Sequence, residues 1–281
     1  PNARSGVGAK GLWQFMYSTG KQFDLKVSSY VDERADPLKS TEAACKYLSS
    51  LYNTFDDWDL ALAAYNSGPG NVTKAIRRSG GYKNYWNIRP YLPRETQGYV
   101  PAFYATMYIF EYAKEHQLHP SSFSTTYFET DTVRVKRQLT FDQINKVLDT
   151  DNTLLWKLNP HYKLGIIPYI KGRHYALRLP HDLIGVFVSN EDSIYAYAKA
   201  DDAAREKPLP KYFELNNRIR YKVKNGDYLG IIADRHGVSV SKLKQWNGLK
   251  SSNISIGQRL TIYPRRFPPA TKKLTKKTFP K

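Results

Sequence analysis

The stretch that decides how this chain is organised is Tyr221-Lys-Val-Lys-Asn-Gly226-Asp227-Tyr228-Leu229, continued by Ile232-Ala233, Val238-Ser-Val240, Leu243, Trp246-Asn247 and finally Ile256-Gly257-Gln258-Arg259-Leu260-Thr-Ile262. Short alternating runs at both ends bracket two brief apolar-periodic runs, so the order reads strand, helix, helix, strand. Gly226 and Asp227 read as a turn into a helix N-cap as readily as a ligand contact. Trp246 and Asn247 read as core and helix-end residues ahead of ligand contacts. A unit of this size leaves most of the 281 residues unexplained, and the chain is long enough for two or three modules with cores of their own.

Working outward, residues 265–281 carry seven basic and no acidic side chains and show no periodicity, which predicts a flexible basic tail. Residues 200–220, polar with two prolines, read as a linker. Residues 119–199 alternate in short runs, such as Thr132-Val133-Arg134-Val135-Lys136 and Tyr175-Ala176-Leu177-Arg178-Leu179-Pro180, around a helix at Phe141–Leu148, so a small α+β unit is expected there. Residues 1–118 read as all-α. Asp36 caps a helix that has Pro37 at its first position and runs to Phe55, with Cys45 expected to be buried in it. A short helix over Asp57–Asn66 is stopped by Ser67-Gly68-Pro69-Gly70, and another starts at Asn71. Between Gly80 and Pro93, Tyr82, Tyr85, Trp86 and Tyr91 suggest an aromatic loop that could wall a cleft. Glu95–His116 reads as a helix with Tyr99, Phe103, Met107 and Phe110 on one stripe.

With 41% hydrophobic and 24% charged residues and no apolar run of membrane-spanning length, the composition excludes general disorder and a transmembrane bundle. One cysteine excludes a disulfide framework, and scattered histidines offer no metal-ligand spacing, so neither a metal nor a cofactor is expected. A net charge of +18 points to an anionic partner: nucleic acid, a lipid surface or an acidic wall polymer. The 22 tyrosines suit sugars and exposed bases alike. No helix-turn-helix, zinc finger or RNP pattern accompanies the charge, so nucleic acid is not the expected partner.

Residues 221–264 closely resemble the LysM family, a βααβ module whose members bind the N-acetylglucosamine units of peptidoglycan or chitin. Tyr228 stands where that family usually has Thr or Ser. The resemblance implies a groove between the turn at Gly226, Asp227, Tyr228 and Leu229 and the loop containing Asn253 and Ile254. Residues 131–182 look like a diverged LysM-type repeat whose turn lacks the Gly-Asp pair, and glycan binding by it is not assumed.

Three motifs lie in order in the first domain: Gly6-Val-Gly8-Ala-Lys-Gly11-Leu12-Trp13-Gln14-Phe15-Met16, Ala64-Tyr65-Asn66-Ser67-Gly68-Pro69-Gly70 and Glu95-Thr96-Gln97-Gly98-Tyr99-Val100. Together they resemble the lysozyme-like lytic transglycosylases of glycoside hydrolase family 23, in particular the D-type membrane-bound murein transglycosylases, which also carry C-terminal LysM repeats. The fold this implies is an α+β multidomain chain: an all-α lysozyme-like catalytic domain, then small βααβ LysM-type modules.

The implied activity is cleavage of the β-1,4 bond between N-acetylmuramic acid and N-acetylglucosamine with closure of a 1,6-anhydro ring. One carboxyl first donates a proton to the glycosidic oxygen and then accepts that of the C6 hydroxyl, unlike the paired carboxylates of ordinary glycosidases. By the same resemblance Gln14 would hydrogen-bond a substrate group near the scissile bond, Tyr65 and Asn66 would face the cleft, and Tyr99 would orient the acid. Competing roles are an exposed helix glutamine, a buried tyrosine, a helix-capping asparagine and a core tyrosine. Glu95 is expected to neutralise a helix start, and Trp86 and the loop tyrosines either stack on sugars or pack the surface.

The family's catalytic Glu belongs to a Glu-Ser motif a handful of residues before an Asn-Pro, a place that falls before Pro1. Glu33, between Asp32 and Arg34, is expected to be a surface or salt-bridged residue instead. The expectation is therefore an enzyme fragment that binds glycan but cleaves poorly or not at all. No targeting signal is visible, and a processed or truncated start is expected. The alternative is a non-catalytic peptidoglycan- or chitin-binding protein on the same scaffold. Either would act in the cell envelope, in the periplasm or at the outer membrane, the basic tail touching an anionic surface.

Overall fold

The computed structural model of the chain describes residues 1–119, 126–212, 214 and 219–263. The expectation for the basic tail lies outside the described residues. The first sixteen residues form a folded loop with bridges Arg4–Lys10 and Lys10–Phe15, followed by α1 (Tyr17–Gln22). Asp36 accepts the backbone N–H of Leu38 and Lys39 and starts α2 (Pro37–Phe55), with Pro37 where no hydrogen bond is lost. Asp57 caps α3 (Trp58–Ser67), whose Leu60, Ala61, Ala63 and Ala64 are fully buried. Those small side chains let α2, α4 (Pro69–Arg78) and α6 (Arg94–Glu111) close around α3. Gly68, at φ +88°, ends α3 and opens α4, which therefore begins at Pro69 and not at Asn71.

The Gly80–Pro93 segment is not the loop its composition suggested. Asn84 accepts the N–H groups of Trp86 and Asn87 and starts α5 (Tyr85–Ile88), and a 3₁₀ turn follows at Arg89–Tyr91. Tyr85 belongs to the core, its hydroxyl donating to the carbonyls of Thr96 and Gln97. Of the segment's aromatic side chains, Tyr82, Trp86 and Tyr91 stay exposed. Cys45, expected to be buried, is exposed, because α2 turns Ala43, Ala44 and Leu51 inward. Of the stripe on α6, Phe103, Met107 and Phe110 are exposed, and only Thr96 and Val100 of that helix are buried.

The second module comprises β1 (Thr130–Arg134), β2 (Leu139–Thr140), α7 (Phe141–Leu148), α8 (Asn152–Leu158), β3 (Ile166–Ile167), β4 (Ala176–Pro180), α9 (His181–Ser189) and α10 (Glu191–Ala204). β1 pairs antiparallel with β4, Val133 opposite Leu177, so its centre is a βααβ unit. Thr140 and Gln143 start α7 with a reciprocal capping box. Tyr30 and Val31 of the first domain enter this module's core, and the N–H of Asp32 donates to the carbonyl of His161 at 2.8 Å.

Part of the segment read as a linker is helix, since α10 reaches Ala204, and part is docked. Leu209 and Tyr212 pack on the core, and Ser29 donates to the carbonyl of Lys211. The third module has the order anticipated: β5 (Ile219–Lys222), α11 (Leu229–His236), α12 (Val240–Asn247) and β6 (Arg259–Ile262), with β5 and β6 antiparallel and Tyr221 opposite Leu260.

Candidate active site

The three first-domain motifs converge through polar contacts. Asn66, in the last turn of α3, donates from Nδ2 to Glu95 Oε1 at 3.2 Å and accepts the Thr96 hydroxyl at Oδ1 at 2.7 Å. The end of α3 is thereby locked to the first turn of α6, where the carboxylate of Glu95 also complements the helix N-terminus. One residue earlier, the Tyr65 hydroxyl donates to the Trp13 carbonyl at 3.0 Å, joining α3 to the glycine-rich loop. Its ring meets Trp13, Phe15 and Tyr47 with centroids 5.2 to 6.4 Å apart. Burial holds the Tyr65 phenol strongly neutral, with the nearby phenols of Tyr99 and Tyr47 acting in the same direction. Tyr99, half-buried, is likewise pushed up by burial and then by the charge of Glu95. Tyr65, Asn66, Glu95 and Tyr99 thus form one neighbourhood of neutral donors beside a carboxylate.

Gln14 departs from the helix-glutamine reading in its backbone, although it is exposed as that reading had it. It lies in a turn and not in a helix, at φ +50°, and its side-chain amide donates to the Gly11 carbonyl at 2.7 Å and, more weakly, to that of Ala3 at 3.3 Å. Its donors shape its own loop, while the side chain remains exposed.

What holds that loop was not foreseen. Asp32, Glu33 and Arg34 are all buried, and of the two readings of Glu33, surface or salt-bridged, the structure gives the salt bridge. Arg34 grips Asp32 with two hydrogen bonds of 2.9 Å and donates through Nη1 to the carbonyls of Gly8 and Phe15. Burial alone would raise the Asp32 pKa, but the hydrogen bond and charge of Arg34, with Lys10 and Lys163, hold it below the ordinary carboxylate range. Glu33 is paired as well as buried: it accepts Lys39 Nζ at 2.6 Å and the Lys26 N–H at 2.8 Å, and it does not enter the Asn66–Tyr99 neighbourhood. Linear sequence carries no signal for this staple, since charged side chains are buried only where partners from elsewhere satisfy them. Thr96 was missed for the same reason, although its place beside Glu95 in a first helical turn marks it as an available hydroxyl.

In the third module Gly226 takes φ +83°, as the turn requires. Asp227 does not cap α11: it accepts the Lys224 N–H at 2.8 Å and the Tyr221 hydroxyl at 2.6 Å, and Tyr228 occupies the cap position without a side-chain bond. Tyr228 and Asn253 are exposed and Ile254 is half-buried, whereas the Leu229 side chain lies in the core, leaving only its main chain for a groove. Asn247 bonds the Leu243 carbonyl and both the carbonyl and N–H of Thr261, a structural helix-end role as anticipated. Among the described residues no cluster of metal-ligating side chains is present.

The chain thus presents a helical domain with this polar junction, followed by two βααβ units. Residues 1–88 match the family model for the transglycosylase SLT domain, residues 129–196 that for the LysM-like domain of lytic transglycosylase MltD and residues 221–262 that for the LysM domain. The chain carries these three domains in that order.

Among individual proteins it is similar to membrane-bound lytic murein transglycosylase D of Escherichia coli (strain K12), 34% identical over 270 residues covering 93% of this chain and 56% of that protein. The chain therefore spans little more than half the length of that relative. Membrane-bound lytic murein transglycosylase F of Shewanella sediminis is 37% identical over 83 residues, 27% of this chain and 16% of that protein. A probable endopeptidase p60 of Listeria grayi is 44% identical over 46 residues, 16% of this chain and 9% of that protein.

Proposed function

We propose that this chain belongs to an enzyme that cleaves the MurNAc-β-1,4-GlcNAc bond of peptidoglycan by the lytic route, forming 1,6-anhydromuramic acid, with its LysM modules holding the polymer. The observation that carries this reading is the junction of Asn66 with Glu95 and Thr96 in an SLT domain that shares a chain with LysM modules. Asn66 and Tyr65 would face the glycan, and Tyr99 would orient the acid, assigned by resemblance to a glutamate on the N-terminal side of Pro1. Gln14 would meet the substrate from its turn. The groove of the third module would use Gly226, Asp227, Tyr228, the Leu229 main chain, Asn253 and Ile254. On this reading the division is 1–118 for catalysis, 119–199 and 221–264 for LysM-type modules, 200–220 for their connection and 265–281 for a basic tail that touches an anionic envelope surface.

No helix among the described residues is long and apolar enough to cross a membrane. Action in the cell envelope, at the periplasm or outer membrane, is supported by the name of the E. coli relative, which calls it membrane-bound. The deciding experiment digests purified peptidoglycan with a version extended upstream through the Glu-Ser motif and reads the fragments by mass spectrometry. Anhydro-muropeptides are expected. Reducing-end muropeptides would make it a hydrolase, and binding without release would favour the non-catalytic glycan-binding protein.

A further inference from the structure

A cavity of about 630 Å³ opens between the glycine-rich loop of the first domain and α12 of the third module. It is separate from both sites described above: neither the Asn66–Tyr99 neighbourhood nor the turn and loop of the LysM groove lines it. Its size is that of a site for a disaccharide or a short peptide. Two features of its walls restrict what it can hold.

The first is charge. Among the described residues, Arg4, Lys10, Arg34, Lys163 and Lys242 line the cavity against a single carboxylate, Asp32. Arg34 already occupies that carboxylate with paired hydrogen bonds, and Lys10 approaches it at 3.6 Å. Five cations against one carboxylate make this lining net positive, a potential that favours an anion. Arg4 at the exposed rim and Lys242 on α12 are the cations chosen for substitution, since Arg34 holds the fold of the loop.

The second feature is aromatic. Tyr17 of the first domain meets Tyr263 of the third module edge-on at 5.3 Å, and Tyr263 meets Trp246 at 5.2 Å. These rings offer apolar faces beside the cations, and Gln245 closes the wall by donating to the Val7 carbonyl at 2.9 Å. A ligand with a flat apolar surface next to carboxylates satisfies both features, whereas a neutral chitin oligomer uses only one.

We propose that this cavity is a further binding site, built jointly by the SLT domain and the LysM module, for the carboxylate-bearing muropeptide portion of peptidoglycan: muramic acid with its acidic peptide stem. The proposal rests on the peptidoglycan reading and adds to it a site that reads acid groups, which the neutral N-acetylglucosamine groove does not. Occupancy would bridge the first domain and the third module and orient a strand relative to the candidate active site.

The test titrates the full chain with a disaccharide-tripeptide muropeptide, the same muropeptide with amidated carboxylates, and neutral chitotetraose, following Trp246 fluorescence and calorimetric heat. The acidic form is expected to bind at least ~10-fold more tightly than the amidated form at about 50 mM salt, with the gap closing at about 500 mM. An R4Q/K242Q double variant, checked for folding by circular dichroism, is expected to lose that preference while binding chitotetraose as before. Equal binding of acidic and amidated muropeptide by the unaltered chain, or a preference that survives in the folded variant, overturns the proposal. Equally tight binding of a nucleoside triphosphate at the same rim also overturns it, because charge alone would then explain the site. If chitotetraose binds and the acid preference is absent, only this proposal falls. If neither chitotetraose nor any muropeptide binds, the peptidoglycan reading falls with it.

Discussion

A methyl group added at Gly11 would sit 1.8 Å from the Arg34 carbonyl oxygen, and its backbone is already at φ +87°, where other residues are strained; at Gly6 it would meet nothing within 4 Å. Gly11→Ala is therefore expected to destabilise the first domain by about 3 kcal/mol or more and Gly6→Ala by less than about 1 kcal/mol, read as a difference in urea midpoints. Asn66 is the test residue for chemistry. Asn66→Ala removes the partner of both Glu95 and Thr96, and turnover of peptidoglycan by the upstream-extended protein is expected to fall by ~100-fold with little change in thermal midpoint. At this scale the resemblance carried by the three motifs is what grouped Tyr65, Asn66 and Tyr99, whereas the glycine stop after one helix and the proline before another were legible as local events. Both left the burial of Asp32, Glu33 and Arg34 hidden, because their partners lie in the folded loop, at Lys39 and in the second module.

Helices and strands were legible wherever a cap or an alternation marked them: Asp36 and Pro37 for α2, Gly68 between α3 and α4, and the strand–helix–helix–strand order of the third module. The failures also have a physical pattern. α5 is a single turn started by Asn84 in a segment whose prolines and glycines read as loop, and a four-residue helix has no periodicity to detect. The apolar stripe of α6 is largely exposed: periodicity reports only which side chains share a face and not whether anything packs on it. Within the third module, Asn247 ties α12 to β6 through three hydrogen bonds. Asn247→Ala is expected to leave half-buried main-chain groups of Thr261 without their partner and to destabilise that module by about 1 to 2 kcal/mol. A Trp246 fluorescence melt should shift while the helical signal of the first domain holds.

For the whole molecule, the first two domains keep separate cores but are joined where Tyr30 and Val31 pack among the side chains of the second module. His161 lies at this junction, its Nδ1 3.7 Å from Asp36 Oδ2, with Lys39, Glu33 and Arg178 also acting on it. Burial pulls its pKa from 6.5 down to about 4, against the pull of Asp36. The unfolded chain therefore binds a proton that the folded chain refuses between these values. The contribution of neutral His161 to stability is complete above pH about 6.5 and is lost as pH falls toward about 4, a change of up to about 3 kcal/mol. Urea midpoints measured from pH 7 to pH 4 should fall accordingly, and His161→Gln should flatten that part of the profile. An unchanged slope in the variant would place the acid sensitivity elsewhere.

Sequence alone determined the order of modules, the helical character of the first domain and the βααβ plan of the third, because caps, glycine stops and short-range periodicity act through neighbouring residues, and the motifs of the candidate site were legible through their resemblance to a family. Tertiary structure decided which charges are buried, that the segment after α10 docks on the second module, and that the SLT domain and the LysM module enclose a cationic, aromatic cavity. Those outcomes depend on desolvation and on pairing between residues up to 238 positions apart, as in the bond from Gln245 to Val7, and no local pattern encodes them.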